Sequence, residues 1–205
     1  NYAKLHVEWL LEQIDYSGKI IHFNAIAGVP ANDERESVYD AYLAEYPDVE
    51  VLATEYHGWN TSKAKQLMAG LISAHPQIDA VLTQEATPGI VAAFVEAGRE
   101  FPKAISGDES IDGLRTWAEH DYNSIMVENP PAVGVHGLMI GVRLLGGREL
   151  DPDKLVDGNV IRLKQNLIIT RETRDEWVEK TSHLADNDYI DSVMTEEEID
   201  EFFVD

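Results

Sequence analysis

The chain has 205 residues, a formal net charge of −22 and no cysteine. Such acidity excludes a phosphate-gripping nucleic-acid surface and disfavours an anionic membrane surface. The missing thiols exclude disulfide frameworks, thiol catalysis and zinc–thiolate centres.

Leu5, Trp9, Leu10 and Ile14 recur at helical spacing, so residues 2 to 14 read as an amphipathic helix that Ser17-Gly18 breaks. "KIIHFNAI" reads as a buried strand, bounded by Gly28 and Pro30. Asn32 is the expected N-cap of a helix running to about Tyr46, which places Arg35 in its first turn. A cation there opposes the helix dipole by a few tenths to ~1 kcal/mol, and Tyr39, one turn on, offers no compensating charge. An unfavourable placement of that kind suggests a ligand role for Arg35.

The unit then repeats. "VEVLATEY" is a strand, "HGWN" a corner, and Thr61 to Ala74 a helix. "IDAVLTQ" is a strand, "EATP" a corner, and 89 to 97 a helix; "KAIS", "GDES" and 111 to 119 repeat the pattern. "NSIMVEN" leads through Pro130-Pro131 into a long apolar helix over 132–145; "NVIRLKQNLIIT" is a last strand, followed by a helix from Arg171 to about Leu184. In the tail, Thr195 and Glu198 form a capping-box pattern ahead of Ile199, Phe202 and Phe203, predicting a short helix that docks an apolar face. No apolar run reaches the roughly 20 residues of a membrane span. The chain opens on Asn1 without a signal-peptide pattern and is expected to be a fragment or processed product, so the missing signal does not decide location.

Alternating elements of this length predict an α/β fold with a doubly wound parallel sheet. Ligands in such sheets bind beyond the carboxyl ends of the strands. Arg35, Trp59, Gln84, Glu85, Asp108 and Glu128 follow the first five strands in turn. One forked cation, one large aromatic and several carboxylates or amides would then face one crevice. Each also has a plain structural explanation: Trp59 lids the core, Asp108 caps the next helix, Glu128 is a surface acid. No phosphate loop, dinucleotide fingerprint, nucleophile elbow or histidine pair with metal-ligand spacing occurs, so neither cofactor nor metal is expected.

The stretches "IAGVPANDERESVYDAY", "VEVLATEYHGW", "LISAHPQIDAVLTQ", "AISGDESIDG" and "SIMVENPP…GLMIGVRLLGG" together resemble the periplasmic sugar-binding proteins of ABC transporters, of the ribose-binding type. The resemblance runs from about residue 1 to 150. It implies the second lobe of a type I periplasmic-binding-protein-like fold, its first lobe absent. Residues 1–130 would form the ligand-binding lobe, 131–158 a crossover helix packed on the missing lobe, 159–184 the last hinge strand and helix, and 185–205 an acidic tail with a short terminal helix. By position, Arg35 matches an arginine that binds sugar hydroxyls, Trp59 an aromatic that stacks on the ring, and Asp108 a hydroxyl acceptor. Glu128 stands where a hinge glutamine is usual, and Asn1 matches a hinge-proximal asparagine. Gln84-Glu85-Ala86 departs from the family's usual Asn-Asp, which leaves the sugar's identity open.

What the resemblance implies is a binding component rather than an enzyme, located in the periplasm or elsewhere outside the cytoplasm, with a lipid anchor upstream as one form. Its partners would be a small sugar or polyol, with an amino sugar as the cationic alternative, and a membrane permease; neither nucleic acid nor direct membrane insertion is expected. The orphaned 132–145 helix is expected to be displaced or disordered, or to self-associate with another copy. The alternatives are the effector domain of a lactose-repressor-type regulator and, less favoured, a hydrolase using Glu85 and Asp108 as acid and base.

Overall fold

The computed structural model describes residues 2–107, 110–129, 131–163, 167–190 and 193–204. The chain opens with α1 (Tyr2–Gln13) and β1 (Gly18–Asn24), then alternates through α2 (Pro30–Leu43), β2 (Val49–Tyr56), α3 (Thr61–Ala74), β3 (Ala80–Thr83), α4 (Thr87–Glu96), β4 (Ala104–Ser106), α5 (Ile111–His120) and β5 (Ser124–Val127). The strands assemble in the order β2-β1-β3-β4-β5, all parallel. Strand order reverses between β1 and β3, and the crevice beyond their carboxyl ends is the topological switch point at which such sheets bind ligands.

Period-two alternation divides the core. Ile20 and Leu82 face α1 and α2, in a cluster with Val7, Leu10 and Tyr39. Ile21, Phe23 and Val81 face the other way, toward Met68, Ile90 and Phe94 of α3 and α4. Burial of each large side chain contributes roughly 1.5–3 kcal/mol, so the two clusters fix the strand register and with it the corners.

The end of the chain departs from expectation. Instead of one strand over 159–170, β6 (Leu155–Val156) and β7 (Val160–Ile161) make a small antiparallel hairpin, and β8 (Ile168–Ile169) pairs antiparallel with β5 at the sheet edge. The reason is turn chemistry: Asp157 and Gly158 both adopt positive φ, 52° and 76°, which suits the tight turn that Asp-Gly favours between antiparallel strands. The helix after β8, α7 (Arg174–Lys180), is shorter than the 171–184 expected.

Helix α6 (Val133–Leu145) leaves its apolar side bare, with Leu138 68% and Leu145 91% exposed. Its other side is held by the tail helix α8 (Glu196–Asp200): Arg143 pairs with Asp200 at 2.7 Å and also with Glu196, and the His136 ring accepts from the Met194 amide at 2.9 Å. The expected capping box is formed, with Thr195 and Glu198 bonding reciprocally, and Ile199 and Phe203 are buried. No helix among the described residues is long and apolar enough to cross a membrane.

Candidate binding site

The first corner is not built as its sequence suggests. Helix α2 starts at Pro30, with Val29 as its cap residue. Proline's fixed φ suits the first helical position, where its absent N–H is not missed. Asn32 is thereby freed from capping. It is fully buried, and its side-chain oxygen accepts from the Ala25 amide at 2.7 Å. Arg35 therefore lies in the second turn, where the dipole penalty has faded.

What holds Arg35 is its surroundings. Its guanidinium carbon sits 4.2 Å from the centroid of the Tyr2 ring, a cation–π arrangement. Glu85 approaches to 3.6 Å, with both side chains largely buried. Beneath Tyr2, at 4.4 Å between ring centroids, lies His6. Burial, and then the Arg35 charge, push its pKa down to about 3. Arg35 opens into a hollow of about 950 Å³ shared with Tyr2, Lys4, Tyr42, Asn129 and Arg162.

Trp59 stands in a neighbouring hollow of about 300 Å³, with Ser110, Asp112, Asp186 and Tyr189. Its backbone is left-handed, φ 51°, and is held there because its amide donates to His57 Nδ1 at 3.0 Å. That bond fixes the tautomer: Nδ1 must be unprotonated. Burial, and secondarily Lys63, bring the His57 pKa down to about 4.

Glu85 joins the two hollows, lining the smaller one and pairing with Arg35 of the larger. Gln84 does not reach either. It is fully buried at the switch point, with its amide nitrogen 2.8 Å from Asn24 Oδ1 and 3.1 Å from Asn32 Oδ1. Glu128 is buried at the end of β5, its amide donating to the Leu167 carbonyl at 3.0 Å. Asn1 and Asp108 lie outside the described residues. The cap of α5 is Ser110, whose hydroxyl accepts from the Gly113 amide at 3.0 Å.

Three contributions lie outside the corners that follow the strands: Tyr2 comes from α1, Asn24 and Asn32 bond Gln84, and Asp186 and Tyr189 come from the tail. The tail is brought in by backbone pairing, as the Ile111 amide donates to the Asp188 carbonyl at 3.0 Å. Nothing in its sequence announces that pairing. Among the described residues no group of His, Asp or Glu is arranged to hold a metal ion.

The model of a family described as periplasmic binding protein domain matches residues 1–149. A xylitol-binding protein of Mycolicibacterium smegmatis is 28% identical over 150 residues, covering 72% of this chain and 43% of that protein. A ribose import binding protein of Salmonella typhimurium is 24% identical over 157 residues, covering 76% and 53%. The chain thus spans about half the length of these relatives. An ABC transporter solute binding protein from Thermobispora bispora shares the fold with a TM-score of 0.80 at 24% identity, over 98% of this chain and 59% of that one. So does the periplasmic component of the arabinose ABC transporter from Shewanella sp. ANA-3, with a TM-score of 0.76 at 21% identity, over 89% and 60%.

Proposed function

This chain belongs to the periplasmic binding protein family, and from that membership we propose that it is one lobe of an extracytoplasmic solute-binding protein of an ABC transporter. The lobe captures a small sugar or polyol as a hinge closes over it, and the loaded protein delivers the solute to a permease. The observation that carries this reading is Arg35, its guanidinium over the Tyr2 ring and beside Glu85 at the switch point, with Trp59 in the adjoining hollow. A polyol hydroxyl both donates and accepts, so it can answer a guanidinium and a carboxylate at once. An indole covers the apolar face of a sugar ring. Asp108 and Asn1 belong to the same proposed set by position in the family.

A chain extended upstream to the length of its relatives provides the test. Titration with xylitol, D-ribose and L-arabinose is expected to change Trp fluorescence and raise the melting temperature for at least one of them. Arg35→Ala should then weaken binding about 10- to 100-fold, the range of one or two charge-assisted hydrogen bonds. Trp59→Ala should abolish most of the fluorescence change. No response to any sugar or polyol would overturn the proposal.

The bare side of α6 fits the same reading: in the longer chain it packs against the first lobe. At three glycines of α6, residues 134, 137 and 141, an added side-chain carbon would meet nothing within 4 Å. Glycines weaken a helix by about 1 kcal/mol each relative to alanine, a cost that close approach by another backbone would offset. In the 205-residue chain alone, copies are expected to meet on this face. Leu138→Glu, at an exposed position, should change stability by less than about 0.5 kcal/mol while returning the associated chain to monomer in sedimentation. A wild-type chain that stays monomeric at all concentrations would refute the self-association.

A further inference from the structure

Two of the corners that wall the Trp59 hollow carry left-handed residues that are not glycine. Trp59 has φ 51°, and Ala86, at the start of α4, has φ 63°. A Cβ makes that conformation costly, and it persists only where surrounding groups enforce it. At each corner a buried side chain does so. His57 Nδ1 accepts from the Trp59 amide at 3.0 Å, which fixes the peptide plane ahead of Trp59. The Thr83 hydroxyl donates to the Glu85 carbonyl at 2.6 Å, which fixes the plane ahead of Ala86.

The two gripping side chains also meet. His57 Nε2 stands 3.4 Å from Thr83 Oγ1. His57 follows β2 and Thr83 ends β3, and β1 lies between those strands in the sheet. The imidazole therefore reaches across the end of β1, its ring centroid 6.0 Å from that of Phe23. Chemistry sets the direction of every bond. The Trp59 amide can only donate, so the ring proton of neutral His57 is on Nε2. Nε2 then donates to Thr83 Oγ1, whose own proton goes to the Glu85 carbonyl, which can only accept. Both residues are fully buried, and each of their side-chain polar atoms has a partner. Their backbones are anchored elsewhere. The His57 amide donates to the Asn24 carbonyl at 2.9 Å, and the Thr83 amide to Ser106 Oγ at 2.7 Å.

We infer that His57 and Thr83 are positioning residues, a buried clamp that spans β1 and locks the corner of Trp59 to the corner of Glu85. Trp59 and Glu85 line the hollow, whereas the clamp lies behind it. It sets where the indole and the carboxylate leave the backbone. That those two groups then meet a solute rests on the function proposed above; the clamp itself does not, and is tested without solute.

A left-handed residue gives a strong NOE between its amide proton and its own α proton, and this is the readout at Trp59 and Ala86 in the labelled 205-residue chain. His57→Leu and His57→Asn have nearly the same shape and both lack the ring, but only asparagine keeps an acceptor near the place of Nδ1. The Trp59 NOE should fall several-fold in His57→Leu and be kept in His57→Asn. Thr83→Val keeps the shape and removes the hydroxyl. It should lower the NOE at Ala86 and, two strands away, at Trp59; it also serves if the His57 variants fail to fold. Equal Trp59 NOEs in folded His57→Leu and His57→Asn would reduce His57 to a packing residue and overturn the inference. A signal at either Trp59 or Ala86 untouched by Thr83→Val would overturn it too, because the corners would then be held separately. Both NOE losses with unchanged solute affinity in the longer chain would uphold the clamp and reject Trp59 as a solute contact.

Discussion

Gly89→Ala should destabilise the protein by about 3 kcal/mol or more, a large part of the roughly 5–15 kcal/mol that holds a domain folded. Gly89 lies in the first turn of α4, and a side-chain carbon there would stand 2.1 Å from the Thr61 carbonyl oxygen and 3.1 Å from the Lys65 amide. Both are backbone atoms of α3, so no rotamer change relieves the clash. The helices must part, and with them the contact of Met68 and Ile72 with Ile90 and Phe94. The site is also disturbed, because Thr61 at the start of α3 and Pro88 at the start of α4 line the hollow that holds Trp59. Gly70→Ala is the matched control. Gly70 sits inside α3 with nothing within 4 Å of its added carbon, so the same change should stabilise by up to about 1 kcal/mol through helix propensity. Urea unfolding of both variants gives the two signs. A Gly89→Ala protein as stable as the parent would show that the two helices can part at no cost.

Much of this architecture was readable because it rests on local signals. The helix expected from Thr61 starts there, and Asn60 caps it, accepting from the Lys63 amide at 2.8 Å. Thr195 with Glu198 marks α8 in the same way. Short, largely apolar runs in "KIIHFN" and "AVLT" are enough to place β1 and β3 as buried strands, and the order of units gives a mostly parallel sheet. What was not readable depended on distant partners. Asn32 is a good cap by composition, but Ala25 and Gln84, close only in the folded chain, claim its side chain. Pro30 then takes over the helix start. The tail segment joins the Trp59 hollow through backbone pairing, which carries no residue code. The Asp157-Gly158 turn is legible in itself, but the longer apolar run that follows competes with it and reads as a single strand. For the site, position after each strand put Arg35 and Trp59 at one crevice, and the structure sets them in two hollows. Position alone could not show that those hollows are separate and meet at Glu85, nor that Gln84 points inward.

The same buried corners make the fold sensitive to mild acid. His6 and His57 are both fully buried, and their pKa values are brought down to about 3 and about 4 from an ordinary 6.5, in each case chiefly by burial. Above about pH 6.5 both rings are neutral whether the chain is folded or not, and their full contribution to stability is present. Below that pH the unfolded chain takes up protons that the folded chain refuses, so stability falls by about 1.4 kcal/mol per pH unit for each ring. The loss continues until the folded rings themselves titrate, near pH 4 for His57 and near pH 3 for His6. By pH 5 the two together should cost about 4 kcal/mol. Protonation also has a local effect at His57, because Nδ1 would then no longer accept the Trp59 amide that shapes the corner. His6 has no such bond to lose among the described residues; its ring nitrogens are both unpartnered there, and its resistance to charging comes from burial and the nearby Arg35. Urea unfolding at pH 7.5 and pH 5 measures the total, to which His22, also lowered by burial, adds, and His6→Phe, which keeps a flat ring beside Tyr2, should remove about 2 kcal/mol of the difference. Equal stability at the two pH values, or a His6 ring that titrates near 6.5 by NMR in the folded protein, would mean that water reaches this corner and that Arg35 is not set in a dry wall.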